Sequence, residues 1–245
     1  MWFVAANLAH ESFPQPAAPR IPLWRYMSLA KFVSMLSTSS LYFSRLDQLG
    51  DPFEGSVAPA NLPLREQFLP SVESAEGFSR FRKNACQYAF VNCWHMSEHE
   101  SAAMWRLYAG ADAGVAVRTD YQTLASVLPE GCFQGMVTYV DYMSGPIPED
   151  NALTPYMYKR LSFAHEREVR ALIWDIPTDE DGHSISPTHP EAGMLIPIHL
   201  DTLVHDVYVS PTAPEWYREA ADDVARLYGL NAEIRKSSLD TDPTY

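Results

Sequence analysis

Basic residues are scarce in this chain: 18 Lys and Arg stand against 31 Asp and Glu, a formal charge of −13 over 245 residues. Such a field repels phosphate backbones. It excludes broad electrostatic binding to nucleic acid or to an anionic membrane and leaves room only for a local basic pocket. Cysteine is as sparse. Cys86, Cys93 and Cys132 form no C-x-x-C pair and are odd in number, so no disulfide framework is expected and a reduced, cytoplasmic setting is. No apolar run approaches the roughly 20 residues that a membrane helix needs. "MWFVAANLAH" lacks a basic flank and runs into "ESFPQPAAPR", so no leader is expected either. Internal repeats, coiled-coil heptads, G-x-G-x-x-G and P-loop motifs and a G-x-S-x-G elbow are also missing, which leaves no standard phosphate cradle or serine nucleophile.

What is present is a chain with 47% apolar and 12% aromatic residues, enough for one sizeable core. Residues 1–20 read as a loosely held Pro/Ala-rich arm and 21–245 as a single α+β domain with a mixed, largely antiparallel sheet and flanking helices. "PLWRYM" (22–27) reads as a strand, "SLAKFVSMLSTS" as a helix capped by Ser28, and "SLYFS" (40–44) as a strand before the loop "RLDQLGDPFEG". Residues 62–83 are helical in pattern with a break near Pro70. "CQYAFVNCWHM" (86–96) is a central strand, and Ser97 with Glu100 makes a capping box for a helix closed by Gly110. Further strands are expected at 113–120 and 132–142, and a short helix follows Asp120. "EDNALTPYMYKRLSF" reads as helix on both sides of Pro155. After the acidic loop 175–193, with His183 and His189 at the surface, come two strands, a helix from Pro214 and a last strand at "AEIRKS".

The stretch "LSFAHEREVRALIW" (161–174) carries Glu166, Glu168 and Arg170 in step. On a strand they share one face, the two carboxylates about 7 Å apart, while Val169, Ala171 and Ile173 point the other way. Such a pair can do acid–base work or brace a sugar as charge develops on its anomeric carbon; it can equally be a surface strand on which Arg170 pairs with Glu168. "LGDPFEG" presents Asp51 and Glu54 at a tight turn with Phe53 as its core anchor, or forms a structural clamp in which Asp51 caps the turn and Glu54 pairs with Arg170 or Lys159. In "CWHMSEHESAAMWRLYAG", Met104, Leu107 and Tyr108 read as packing and Trp105 and Arg106 as facing a pocket. Trp94, Trp105 and Tyr108 offer faces on which a purine or nicotinamide can stack. His95 and His99 lack a fourth ligand at zinc spacing, so no metal site is expected. Arg25, between Trp24 and Tyr26, is placed to meet a phosphate or Glu168.

Together, "LWRYMS", "LYFSRLDQLGDPFEG", "CWHMSEHESAAMWRLYAGADAGVAV", "VTYVDY" and "KRLSFAHEREVR" follow one another over residues 22–175. In this the chain resembles the bacterial domain-of-unknown-function family numbered twenty-nine seventy-one, whose marks include the DPFE box and Lys159 ahead of E-x-E-x-R. The early strand with Arg25 and the late E-x-E also resemble the ADP-ribosyltransferase plan. That likeness implies that Glu168 steadies the nicotinamide ribose of NAD, Glu166 assists the acceptor and Arg25 holds a phosphate. The Ser-Thr-Ser of that plan belongs on a middle strand, whereas Ser37–Ser39 ends the first helix here. The expectation is a small intracellular enzyme acting on a nucleotide-like molecule, with NAD as substrate. The alternatives are a metal-dependent phosphodiester hydrolase built on Asp51, Glu54, Glu166 and Glu168, and a non-catalytic ligand-sensing or protein-interaction domain.

Overall fold

Ser28 starts the first helix as its sequence requires: it is extended, and its hydroxyl accepts the Lys31 N–H at 3.4 Å. Asp120 does the same for Thr123 at 2.8 Å. The computed structural model describes residues 6–69, 71–109, 113–176, 189, 191–241 and 243–244. In chain order it runs β1 (Pro22–Met27), α1 (Leu29–Thr38), β2 (Ser40–Arg45), α2 (Asn61–Phe68), α3 (Val72–Ala85), β3 (Ala89–Met96), α4 (Ala102–Tyr108), β4 (Val115–Asp120) and α5 (Tyr121–Val127). Then follow β5 (Cys132–Met136), β6 (Thr138–Val140), β7 (Tyr158–Arg160), β8 (Glu168–Trp174), β9 (Gly193–Pro197), α6 (Leu200–Leu203), β10 (Asp206–Val209), α7 (Glu215–Leu227) and β11 (Glu233–Lys236).

Nine strands form one sheet, antiparallel except for the parallel β10–β11 pair; β6 and β7 make a small parallel pair of their own. This is the expected single-domain α+β arrangement. On one face, α1, α5 and α7 cover Leu23, Phe43, Phe90, Trp94, Val117, Val169 and Val207. On the other, Val91 and Leu172 pack with Leu46, Tyr156 and Met157, and α4 lays Met104 and Trp105 over Trp24 and Tyr26.

One irregularity in this sheet matters for the rest. β8 pairs with β3 along its length, from Ala89↔Trp174 to His95↔Glu168. The opposite edge of β3 is shared. β1 holds it at one end (Leu23↔Met96, Trp24↔His95) and β2 at the other (Ser44↔Val91, Arg45↔Phe90). Between them, over Asn92–Trp94, β1 and β2 part and leave a fork in the sheet.

Several expectations need correction. Residues 6–16 do not hang loose: Asn7 bridges Phe133, Phe13 is 1% exposed, and Gln15 bonds the carbonyls of Phe13 and Gln134. Such packing holds the segment in place. The Ser97–Glu100 box does not form. Ser101 caps α4, Ser97 accepts from the His99 N–H, and Glu100 is drawn away to Ser238 and the Trp105 indole. The helix expected over 149–163 is instead a 3-10 turn (Thr154–Met157), β7, and a second 3-10 turn (Leu161–Glu166). His189 is buried, edge-on to Phe90 and paired with Asp175 at 3.1 Å. Pro70, Gly110 and His183 lie outside the described residues.

Candidate functional site

At the fork lies a cavity of about 600 Å³, lined by residues of β1, β2, β3 and β8 and by Asp51, Glu54, Lys159 and Glu166. Its volume is in the range of small-molecule sites. Glu168 sits opposite His95 in the β3–β8 ladder, and His95 sits opposite Trp24 in the β1–β3 ladder. Glu168 therefore lies on the face of Trp24, and Arg25 on the other. The cavity is lined by residues of both faces, at the fork where β1 and β2 part.

The expected period of two holds for Glu168 and Arg170, both buried, with Val169 and Ala171 on the opposite face in the main core. Glu166 arrives differently. It ends the 3-10 turn, and Arg167 then takes a left-handed conformation (φ 41°) before β8 begins. The turn nevertheless brings Glu166 to the same place. Lys159, on β7, sets its ammonium where three carboxylates converge: Glu166 at 2.5 Å, Glu54 at 3.1 Å and Glu168 at 3.3 Å. Arg170 completes the cluster by donating to Glu168 at 2.7 Å, Glu54 at 3.1 Å and the Tyr156 carbonyl at 2.5 Å. Three carboxylates face two cations, so with all five ionised the cluster carries one surplus negative charge beside the cavity.

Glu54 reaches the cluster because of Gly55. That residue has φ +70°, and a Cβ there would stand 2.7 Å from Cys86 Sγ and 2.9 Å from Leu46 and Tyr156, so only glycine fits. Asp51 closes the turn by accepting the Phe53 N–H at 3.1 Å and takes a two-pronged bond from Arg160 at 2.7 and 3.0 Å. Phe53 is not the anchor expected of it. It is 39% exposed and lies under the Arg160 guanidinium at 4.4 Å and against Tyr142.

Burial opposes charge throughout the cluster, and the neighbours outweigh it. Burial alone would raise Glu168, but Arg170 and Lys159 hold it down at about 2. Burial would strip Lys159 of its proton, yet Glu168 and Glu54 keep it well above the ordinary lysine range. Burial, aided by Glu168, pushes the Cys93 thiol up. It also lowers His95, whose Nδ1–H donates to the Glu166 carbonyl at 2.6 Å. Tyr108, at the rim and 45% exposed, donates its hydroxyl to Glu166 Oε1 at 2.7 Å, while the Tyr139 hydroxyl accepts the Glu168 N–H at 2.8 Å.

Across the fork, Arg25 lines the same cavity but does not reach Glu168. Its guanidinium stands 5.8 Å from the Trp94 ring, Nη2 donates to the Tyr42 carbonyl at 3.3 Å, and Nη1 has no partner. Burial draws this guanidinium down to about 10. Lys31, Ser34, Ser40 and Ser44 also line the cavity.

Of the residues singled out in the sequence, Arg25, Asp51, Glu54, Trp94, Tyr108, Lys159, Glu166 and Glu168 line the cavity, with Arg170 directly behind them. Phe53 and Trp105 do not. Trp105 is core, packed edge-on against Tyr26, and the exposed side of α4 belongs to Leu107 and Tyr108. Sequence reasoning missed Tyr26, Lys31, Tyr42 and Arg160. Lys31, on the first turn of the helix beside Arg25's strand, was the one with a readable signal.

Among the described residues, no group of three or more His, Cys, Asp or Glu side chains is arranged to hold a metal ion; the clustered acids turn to Lys159, Arg170 and Arg160 rather than to one another. Among them, too, no helix is long and apolar enough to cross a membrane. No protein-family model, curated protein or solved structure matches this chain.

Proposed function

We propose that this protein is an enzyme acting on a nucleotide-like molecule in the fork, and that its reaction is ADP-ribosyl transfer from NAD. One observation carries the reading: a carboxylate held ionised, Glu168, borders a cavity whose opposite side is lined by Arg25, a guanidinium whose buried Nη1 has no partner. NAD has matching poles, a positively charged nicotinamide ribose and a pyrophosphate. Departure of nicotinamide spreads positive charge over the ribose. A fixed anion stabilises that charge more in the transition state than in the ground state, which is the condition for rate acceleration. Glu168 suits this electrostatic role rather than that of a proton acceptor, because its low pKa makes it a weak base. The aromatic faces of Trp24, Tyr26 and Trp94 suit a flat ring.

The full pairing of Glu168 also favours a second reading, a domain that binds such a ligand without turning it over. Incubation with NAD separates the two. Transfer releases nicotinamide, and Glu168→Gln lowers the rate by about 100-fold or more. Binding without release favours the second reading; neither binding nor release removes both.

A further inference from the structure

The rim tyrosine links two elements at the mouth of the cavity. Tyr108 is the last residue of α4, is nearly half exposed as a residue, and its hydroxyl crosses to the 3-10 turn to donate to Glu166 Oε1 at 2.7 Å. Glu166 and Glu168 share the ammonium of Lys159, at 2.5 and 3.3 Å, so the phenol is one carboxylate removed from the anion assigned to the ribose. Both Tyr108 and Glu168 line the cavity. A nucleophile that is to attack a ribose in this cavity needs an O–H aimed at a proton acceptor beside Glu168. Tyr108 already has that arrangement.

We infer that Tyr108 is itself an acceptor: the protein ADP-ribosylates its own Tyr108 hydroxyl. The inference rests on the ADP-ribosyl transfer proposed above and names an acceptor for it. In the step, the bond between the nicotinamide nitrogen and ribose C1 breaks, and its electron pair leaves with nicotinamide. A bond forms between the Tyr108 oxygen and C1. The phenolic proton passes along the existing hydrogen bond to Glu166 and from there to water. NAD and tyrosine give O-ADP-ribosyl tyrosine, nicotinamide and one proton, with no other reactant. Burial and the Glu166 contact raise the Tyr108 hydroxyl above the ordinary tyrosine range, so the phenol reacts as a neutral O–H with the base in place rather than as free phenolate. Because the modified residue stands on the cavity's rim, one turnover leaves an ADP-ribosyl group across the entrance and slows the next.

The full-length protein is incubated with NAD, nicotinamide release is followed, and the protease-digested chain is read by mass spectrometry. The expected result is one ADP-ribosyl group on the peptide holding Tyr108, with a first-order rate constant that does not change over a tenfold range of protein concentration. Tyr108→Phe is expected to carry no label at that peptide. Nicotinamide release with the label on another residue, or with free ADP-ribose alone, overturns the inference and leaves the proposed transfer standing. Absence of nicotinamide release overturns both. A rate that rises with protein concentration overturns modification within one chain.

Discussion

Lys159→Met tests the buried cluster most directly. The ammonium touches Glu54, Glu166 and Glu168 within 3.3 Å, and its removal leaves Arg170 as the only cation of the cluster for three buried carboxylates. Methionine fills much of the lysine stem's volume, so the loss is chiefly electrostatic. Breaking a buried pair by removing one partner costs about 3–5 kcal/mol. With a urea m-value of about 3 kcal/mol/M for a domain of this size, the unfolding midpoint at pH 7 falls by roughly 1–1.7 M. The loss also has a pH signature. Without the ammonium, a carboxylate of the folded variant takes up a proton at higher pH than in the unfolded chain, so the folded variant gains stability as pH falls. The gap between variant and parent therefore narrows from pH 8 to pH 5. Urea titrations followed by tryptophan fluorescence at several pH values measure it. An unchanged midpoint at pH 7, or a gap that stays constant with pH, would refute the claim that Lys159 neutralises these acids.

Two more outcomes follow from the same geometry. Glu168, held at about 2 in the folded chain against its ordinary 4.5, contributes stability that is fully present above pH 4.5 and lost as pH falls toward 2, on the order of 3 kcal/mol. Acid titration of far-UV ellipticity is expected to show that loss, and Glu168→Gln to flatten it; an identical profile for the two proteins counts against it. Gly55→Ala forces a side chain onto φ +70° and into Cys86, Leu46 and Tyr156. It is expected to cost about 2–4 kcal/mol, read as a drop in Tm, and a melt like the parent's contradicts the close approach.

Much of the fold was legible because local signals agreed with tertiary ones. Ser28 caps the helix it was expected to cap, the short helix expected after Asp120 is there, and the β-branched and aromatic runs at 22–27, 40–45, 89–96 and 115–120 are strands. The stretch 149–163 misled because tertiary contacts override its local pattern: Tyr156 and Met157 are buried in a 3-10 turn, and the extended Tyr158–Arg160 sets Lys159 among three carboxylates. In the site, the step between Glu168 and Arg170 was readable from period alone. The place of Glu166 was not, since it depends on a left-handed arginine that no propensity signals. Trp105 and Phe53 exchanged roles with their neighbours because a helix seven residues long and a loop give periodicity too few turns to fix which side faces inward.

The parting of β1 and β2 makes the passage between the two sides of the cavity a main-chain aperture. Its walls are strands clamped on their outer sides, β1 by six residue pairs to β4 and β2 by five to β9, so backbone register sets its width, and the Arg25 side chain spans it to the Tyr42 carbonyl. Substitutions lining the gap can then retune what fits without loosening the frame around it.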